Sequence, residues 1–324
     1  MTSPLLEVRG LKKHFFENEG LFGRSEIVYA LDGVSFSLNE GQTLGLVGES
    51  GCGKTTLGRT LMKLYDPTEG QVIFNSTDIT NLSNSKMRLI RKDMQMIFQD
   101  PFSSLNPRMT VSSLVGEPFL IHETNTRSQV KSKVAELLEL VGLDPVSASR
   151  RYPHEFSGGQ RQRIGIARAI ALNPKLVIAD EPVSALDVSI QSQILNLMAK
   201  LKKTLKLSYV FIAHDLAVVE HISDVVAVMY LGKIVEYADS EVLYKNPLHP
   251  YTKILIDSIP VPEVGNKRRR AVIKGDVPSP LHPPSGCSFH PRCPLATNIC
   301  REKSPEMKSY SNDQSKHDVA CHHV

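Results

Sequence analysis

Apolar residues in the first two-thirds of the chain follow two alternating patterns. Short runs at 44–47, 71–74, 94–98, 176–179 and 209–213 read as strands, the last rich in β-branched and aromatic residues. Segments with helical spacing lie between them. Residues 54–64 follow the first run. In 127–143 the apolar positions are Val130, Val134, Leu137, Leu138 and Val141, one helical face stopped by Gly142. Residues 160–172 form a helix ended before Pro174, and 188–205 another, with Ile190, Ile194, Leu197, Met198 and Leu201 on one side. Strands thus flank a helical stretch at about 100–172, which predicts an α/β fold with a mostly parallel sheet and an inserted helical subdomain.

Beyond about residue 246 the pattern changes. Eleven of the 20 prolines, six of the 11 histidines and four of the five cysteines lie in 246–324. That shift predicts a boundary near 246–262 and a small, loop-dominated, Pro- and Cys-rich C-terminal extension. The basic run 267–270 reads as a solvated linker. With 324 residues the chain can bury a core without disulfides. Lys+Arg 38 against Asp+Glu 34 gives a net +4, too little to argue for nucleic acid. The longest apolar stretch, 209–231, is interrupted by His214, Asp215, Glu220, His221 and Asp224, so no membrane span is expected. Residues 1–10 lack the apolar core of a signal peptide. The expectation is a soluble, cytoplasmic chain, or one docked on a membrane by other proteins.

Candidate chemistry begins at Gly48-Glu49-Ser50-Gly51-Cys52-Gly53-Lys54-Thr55, which matches G-x-x-x-x-G-K-[ST] between a predicted strand and a predicted helix. Glycines let backbone N–H groups curl toward phosphate oxygens, and the helix N-terminus favours an anion. Lys54 is expected to reach the β- and γ-phosphates, Thr55 to coordinate Mg²⁺ and Thr56 to add a polar contact. Cys52 needs no redox role. Asp180 and Glu181 end a second apolar strand. An acid in that place suits Mg²⁺. Asp180 takes that role, and Glu181 is the candidate general base for the attacking water.

Ser157-Gly158-Gly159-Gln160 opens a helix 23 residues before Asp180 and makes a second anion-binding turn. It resembles the signature of ATP-binding cassette ATPases. Other elements of that family follow in order over roughly residues 5–257. Gln99 resembles the Q-loop glutamine that senses Mg²⁺ and water, Asp187 closes a stretch similar to the D-loop, and His214 resembles the switch histidine at the γ-phosphate. The resemblance implies a P-loop NTPase core. It also implies ATP sandwiched in a head-to-tail dimer, with Ser157, Gly158, Gly159, Gln160 and Asp187 facing a partner's nucleotide. The family's adenine-stacking aromatic falls at Phe15 or at Tyr29, with residues 17–27 as an insertion. Arg161 and Arg163 read as surface and interface charge.

Asn246-Pro247-Leu248-His249-Pro250-Tyr251-Thr252, and the stretch from Gly286 to Pro294, resemble the C-terminal extension of dipeptide/oligopeptide importer ATPases. That implies a cassette at 5–257 and an extension at 258–324. The partners implied are a paralogous ATPase subunit or a second copy, two transmembrane permeases, and an extracellular or periplasmic solute-binding protein, with no nucleic acid. The place implied is the cytoplasmic face of the cell membrane. The alternative is a non-transport cassette ATPase acting on DNA or the ribosome.

Cys287, Cys293, Cys300 and Cys321 are separated by five, six and twenty residues, which is neither the common zinc nor the ferredoxin spacing. Four thiols in a short cytosolic segment point to a metal more than to disulfides. Softness admits 4Fe–4S or zinc, and the resemblance favours a 4Fe–4S cluster with a structural role. His290, His322 and His323 are possible substitute ligands.

Overall fold

The structure, a computed structural model, describes residues 3–18, 25–122, 126–259, 275–311 and 315–324. The basic run 267–270 and part of the 17–27 insertion lie outside them. In chain order the first elements are β1 (Leu6–Asn18), β2 (Ser25–Leu38), β3 (Thr43–Val47), α1 (Lys54–Leu61), β4 (Glu69–Phe74), β5 (Thr77–Asp78), α2 (Asn84–Ile90) and β6 (Met94–Ile97). Helices α3 (Pro101–Ser104), α4 (Val111–His122), α5 (Arg127–Leu140), α6 (Pro145–Ala148) and α7 (Gly158–Ile170) follow. Then come β7 (Leu176–Asp180), α8 (Val188–Leu205), β8 (Ser208–Ile212), α9 (Leu216–Ile222), β9 (Val225–Tyr230), β10 (Lys233–Asp239), α10 (Ser240–Lys245) and α11 (Pro250–Asp257). The extension adds α12 (Asn298–Glu302), β11 (Lys308–Ser309) and β12 (His317–Val319).

The chain forms two compact units. One is built from Met1–Leu38, Thr43–Asn81 and Ala213–Val324, the other from Asn39–Gln42 and Leu82–Ile212.

In the first unit β3 pairs in parallel with β9, and every residue of both strands is buried. Beyond β9 the order runs antiparallel through β10 and β12 to β11. The extension is therefore woven into the sheet that carries β3. A separate antiparallel sheet has the order β2-β1-β4-β5. Only β4 of that sheet stands out in the apolar pattern, so the mostly parallel expectation is too simple for this unit. Strand β1 hides because Lys12, Lys13 and His14 sit mid-strand and the β1–β2 register shifts on both sides of Leu11, which breaks the alternation.

In the second unit β6, β7 and β8 are parallel neighbours, β7 and β8 wholly buried, as their apolar runs require. The helical stretch packs around Leu114, Val115, Phe119, Val134, Leu138, Ile164 and Ile166. Helix α5 starts at a capping box made by Thr126 and Gln129 and ends before Gly142, whose φ is +75°. Helix α1 stops three residues earlier than its pattern suggests, where Lys63 takes a left-handed φ of +50°. Among the described residues no helix is long and apolar enough to cross a membrane.

Candidate functional site

The predicted site residues divide between the two units, and each group is built within its own. In the first unit, strand β3 delivers the chain into Gly48–Gly53 and helix α1 receives it at Lys54. Gly53 has φ +104°, and a Cβ there would lie 2.2 Å from the Ala30 carbonyl oxygen. A Cβ on Gly48 would meet the Met229 carbonyl oxygen at 2.2 Å. Only glycine fits either position. Gly53 N-caps α1 without a side-chain hydrogen bond, so no cap side chain competes for the first-turn N–H groups.

Lys54 is 5% exposed, and its Nζ donates to the carbonyl oxygens of Gly48 at 2.7 Å and Glu49 at 2.9 Å. Ser50 and Gly51 are exposed at the tip, and Thr55 and Thr56 half-buried at the start of α1. Burial pushes the Cys52 thiol up while nearby Lys54 opposes it, so Cys52 stays a thiol. His214 is exposed directly after Ala213, whose N–H donates to the Leu46 carbonyl at 3.1 Å. That bond sets His214 beside the strand that enters the loop. Asp215 then caps α9 through the Ala217 N–H.

Phe15 and Tyr29 both lie on the β1–β2 ribbon but on opposite faces. His14 pairs with Tyr29 and Phe15 with Val28, and successive side chains alternate. Phe15 meets the Tyr65 ring edge-on at 5.3 Å. Tyr29 meets His14, and its N–H donates to Pro280 of the extension at 3.0 Å.

The extension also reaches the loop. Arg292 donates to both Glu49 carboxylate oxygens, at 2.6 and 3.0 Å, and the Glu49 N–H donates to the Tyr251 hydroxyl at 2.9 Å. Tyr230, Tyr251 and Phe289 pack ring against ring at 4.8–5.3 Å beneath these contacts. Fully buried Glu236 accepts the Leu248 and His249 N–H groups and pairs with His317 Nε2 at 2.7 Å, tying α11 and β12 to β10. Pattern reasoning assigned no role to Arg292, Tyr251 or Glu236. The first two stand inside the quoted tail motifs, but nothing in spacing links Arg292 to a residue 243 positions away.

The four tail cysteines are free thiols close enough to influence one another. Burial first, and then mutual repulsion of thiolates, raises the pKa of Cys287, Cys293 and Cys321. The Cys287 N–H donates to the Cys300 carbonyl, and Cys300 Sγ lies 3.3 Å from His323 Nε2. His290 and His322 are hydrogen-bonded to backbone carbonyls instead. Among the described residues no three His, Cys, Asp or Glu side chains are arranged to hold a metal ion. The donors suit a thiophilic metal in kind, whereas their side chains do not form a ready cage.

In the second unit, Asp180 is 1% exposed at the end of β7. Glu181 follows with φ +45°, a left-handed conformation that costs a non-glycine residue about 1 kcal/mol or more. Its N–H is held by the Ile212 carbonyl, and Gln99 Nε2 donates to its Oε2 at 3.0 Å. Each unit offers hard oxygen donors of the kind Mg²⁺ takes, Thr55 in the first and Gln99 and Asp180 in the second.

Ser157 caps α7 by a capping box with Gln160, so α7 opens at Gly158, two residues before the pattern placed it. A Cβ on Gly159 would lie 2.5 Å from Ile190 of α8, and one on Gly158 3.4 Å from Leu186. The signature turn therefore packs against the segment around Asp187, the exposed N-cap of α8. Gln191 braces that segment by donating to the Val183 and Leu186 carbonyls. Arg161 and Arg163 are not free surface charge. Arg161 donates to the Phe156 carbonyl, and Arg163 donates to the Val141 carbonyl and to Gln193.

The sequence pattern described as ABC transporter matches residues 31–184, and that of the oligopeptide/dipeptide transporter C-terminal region matches 235–300. The oligopeptide transport ATP-binding protein AppF of Bacillus subtilis is 58% identical over 98% of this chain and 97% of its own. The dipeptide transport ATP-binding protein DppF of Haemophilus influenzae is 47% identical over 100% of this chain and 98% of its own. A dimeric ATP-binding cassette in a post-hydrolysis state, bound to ADP and Pi, superposes with a TM-score of 0.63. It is 27% identical and covers 71% of this chain and 96% of its own.

Proposed function

The chain belongs to the ABC transporter family, in its oligopeptide and dipeptide branch, and we propose that it powers import of di- and oligopeptides through separate permease subunits. It is an ATP-binding, ATP-hydrolysing subunit. The observation that carries peptide import is the match to the family's C-terminal region at 235–300, which runs with the cassette match along one chain.

In this reading Lys54, the loop amides of Gly48 to Gly53, and Thr55 and Thr56 bind the ATP phosphates. Thr55, Gln99 and Asp180 hold Mg²⁺, which supplies charge neutralisation at the phosphates. Glu181 takes the proton from the attacking water, and His214 contacts the γ-phosphate. Phe15 stacks on adenine rather than Tyr29, because Pro280 of the extension lies against the Tyr29 backbone. Ser157, Gly158, Gly159, Gln160 and Asp187 act on the nucleotide of a second cassette, either a paralogous subunit or another copy. Residues 5–257 are the cassette, with its helical part at about 100–172, and 258–324 the extension. The subunit works at the cytoplasmic face of the membrane beside two permeases, which take cargo from an extracellular or periplasmic solute-binding protein. Cys287, Cys293, Cys300 and Cys321 ligate a structural 4Fe–4S cluster, or zinc, once their side chains close around it. Support for this last assignment is the number and kind of thiols gathered there.

The test is reconstitution of the intact complex in proteoliposomes with its peptide receptor. Peptide-dependent ATP hydrolysis and uptake are expected, both lost with Lys54→Ala. Uptake of a non-peptide solute alone would overturn the cargo assignment.

A further inference from the structure

We propose that Arg292, in the C-terminal extension, is a positioning residue for ATP binding, acting through Glu49 of the phosphate-binding loop. A carboxylate is an awkward side chain for a loop built to receive phosphates, because like charges repel strongly where water is scarce. Here Glu49 is turned onto a guanidinium. Arg292 grips both carboxylate oxygens at 2.6 and 3.0 Å, the paired geometry that fixes a carboxylate in orientation as well as place. The arginine side chain is 6% exposed and the glutamate 24%, so the pair is shielded from solvent on the arginine side.

The same residue is held at its backbone. The Glu49 N–H donates to the Tyr251 hydroxyl, and the Glu49 carbonyl accepts from Lys54 Nζ at 2.9 Å. The peptide units around Glu49 are thus where α11 and the phosphate-binding lysine meet, while Arg292 of the extension holds the side chain. Arg292 is presented by a short turn, His290–Arg292, that follows buried Phe289. Phe289 packs on Tyr230 and Tyr251, and the Tyr230 hydroxyl lies 3.4 Å from the guanidinium. Among the described residues Arg292 Nε, which is buried, has no hydrogen-bond partner. The shortest bonds of the guanidinium go to the loop, with the Tyr230 hydroxyl a longer third contact.

The consequence is an affinity for ATP that depends on a residue outside the cassette. ATP affinity is measured on the full-length chain by equilibrium titration with a slowly hydrolysed ATP analogue, and KM and kcat for MgATP in the assembled transporter. Arg292→Ala is expected to weaken binding and raise KM by about 10-fold while kcat at saturating ATP stays within about twofold. Arg292→Lys, which keeps the charge and loses the fork, is expected to fall between Arg292→Ala and wild type. Adding Glu49→Gln to Arg292→Ala is expected to recover part of the affinity, because the unpaired carboxylate is gone. An Arg292→Ala chain with wild-type thermal stability and unchanged affinity overturns the proposal. So does a fall in kcat at constant KM, or a double variant no better than Arg292→Ala. If Arg292→Ala does not fold, Arg292→Lys decides by the same readings. Failure of the ATP-site reading itself would show separately, as analogue binding that survives Lys54→Ala.

Discussion

Gln99 and Glu181 are joined by a 3.0 Å hydrogen bond from the glutamine amide to one oxygen of the glutamate. The bond holds the glutamate side chain in one orientation at the end of β7. Glu181→Gln keeps the size of the side chain and removes its basicity. ATP hydrolysis is expected to fall by about 10²–10⁴-fold with ATP binding retained and the closed dimer accumulating. Phosphate release and size-exclusion chromatography with ATP check this. Unchanged turnover in the assembled transporter would remove Glu181 from the role of base. Gln99→Ala is expected to cost less, since it disturbs aim and not basicity.

The signature turn is predicted to be intolerant for a steric reason that concerns one neighbour. A methyl group on Gly159 would lie 2.5 Å from Ile190 Cγ2. Gly159→Ala should lower stability by about 1–3 kcal/mol, read by urea denaturation. Adding Ile190→Ala should return most of the loss. If it returns none, the contact is not the cause.

Acid should loosen the extension through His249. Its Nδ1 accepts the Tyr251 N–H, so the folded state needs the neutral ring, and burial lowers its pKa from 6.5 to about 4. The unfolded chain then holds more protons than the folded one between those values. Stability from this group is complete above about pH 6.5, declines as pH falls, and is fully lost near pH 4. The expected loss between pH 7.5 and 5 is about 2 kcal/mol. Glu236 acts in the same direction at still lower pH. Burial opposes its ionisation, but bonds from His317 and the Leu248 and His249 N–H groups outweigh burial and hold its pKa down. His249→Asn preserves an N-cap acceptor without a titrating ring. Denaturation curves at the two pH values should then nearly coincide, and a persisting 2 kcal/mol difference would place the acid sensitivity elsewhere.

Anaerobic purification tests the tail cysteines. About four iron and four sulfide per chain, with brown colour, are expected, and a single Cys300→Ser exchange should abolish both. A colourless protein with one zinc would replace the cluster by zinc, and a metal-free, folded protein would refute both.

What the chain discloses in advance is what its chemistry keeps local. The loop from Gly48 to Lys54 runs from a strand into a helix and Asp180 ends β7, as the local pattern expects, whereas the box of Ser157 and Gln160 starts α7 two residues before that pattern does. Helix α8 spans 188–205 as its apolar stripe requires. The antiparallel sheet is less legible, because its strands carry polar residues along faces that are not uniformly buried and slip in register at Leu11. The grip of Arg292 on Glu49 is illegible from pattern alone. It depends on β10, β12 and the aromatic packing of Phe289, none of which announces which surface the turn will meet.

Strand β12, at residues 317–319, is antiparallel to β10, β10 to β9, and β9 lies alongside the strand that feeds the ATP loop. A chain cut short before His317 lacks the buried partner of Glu236, and one cut before Arg292 lacks the clamp on Glu49. Changes confined to residues 251–292 therefore reach the loop at 48–54 without touching its own sequence.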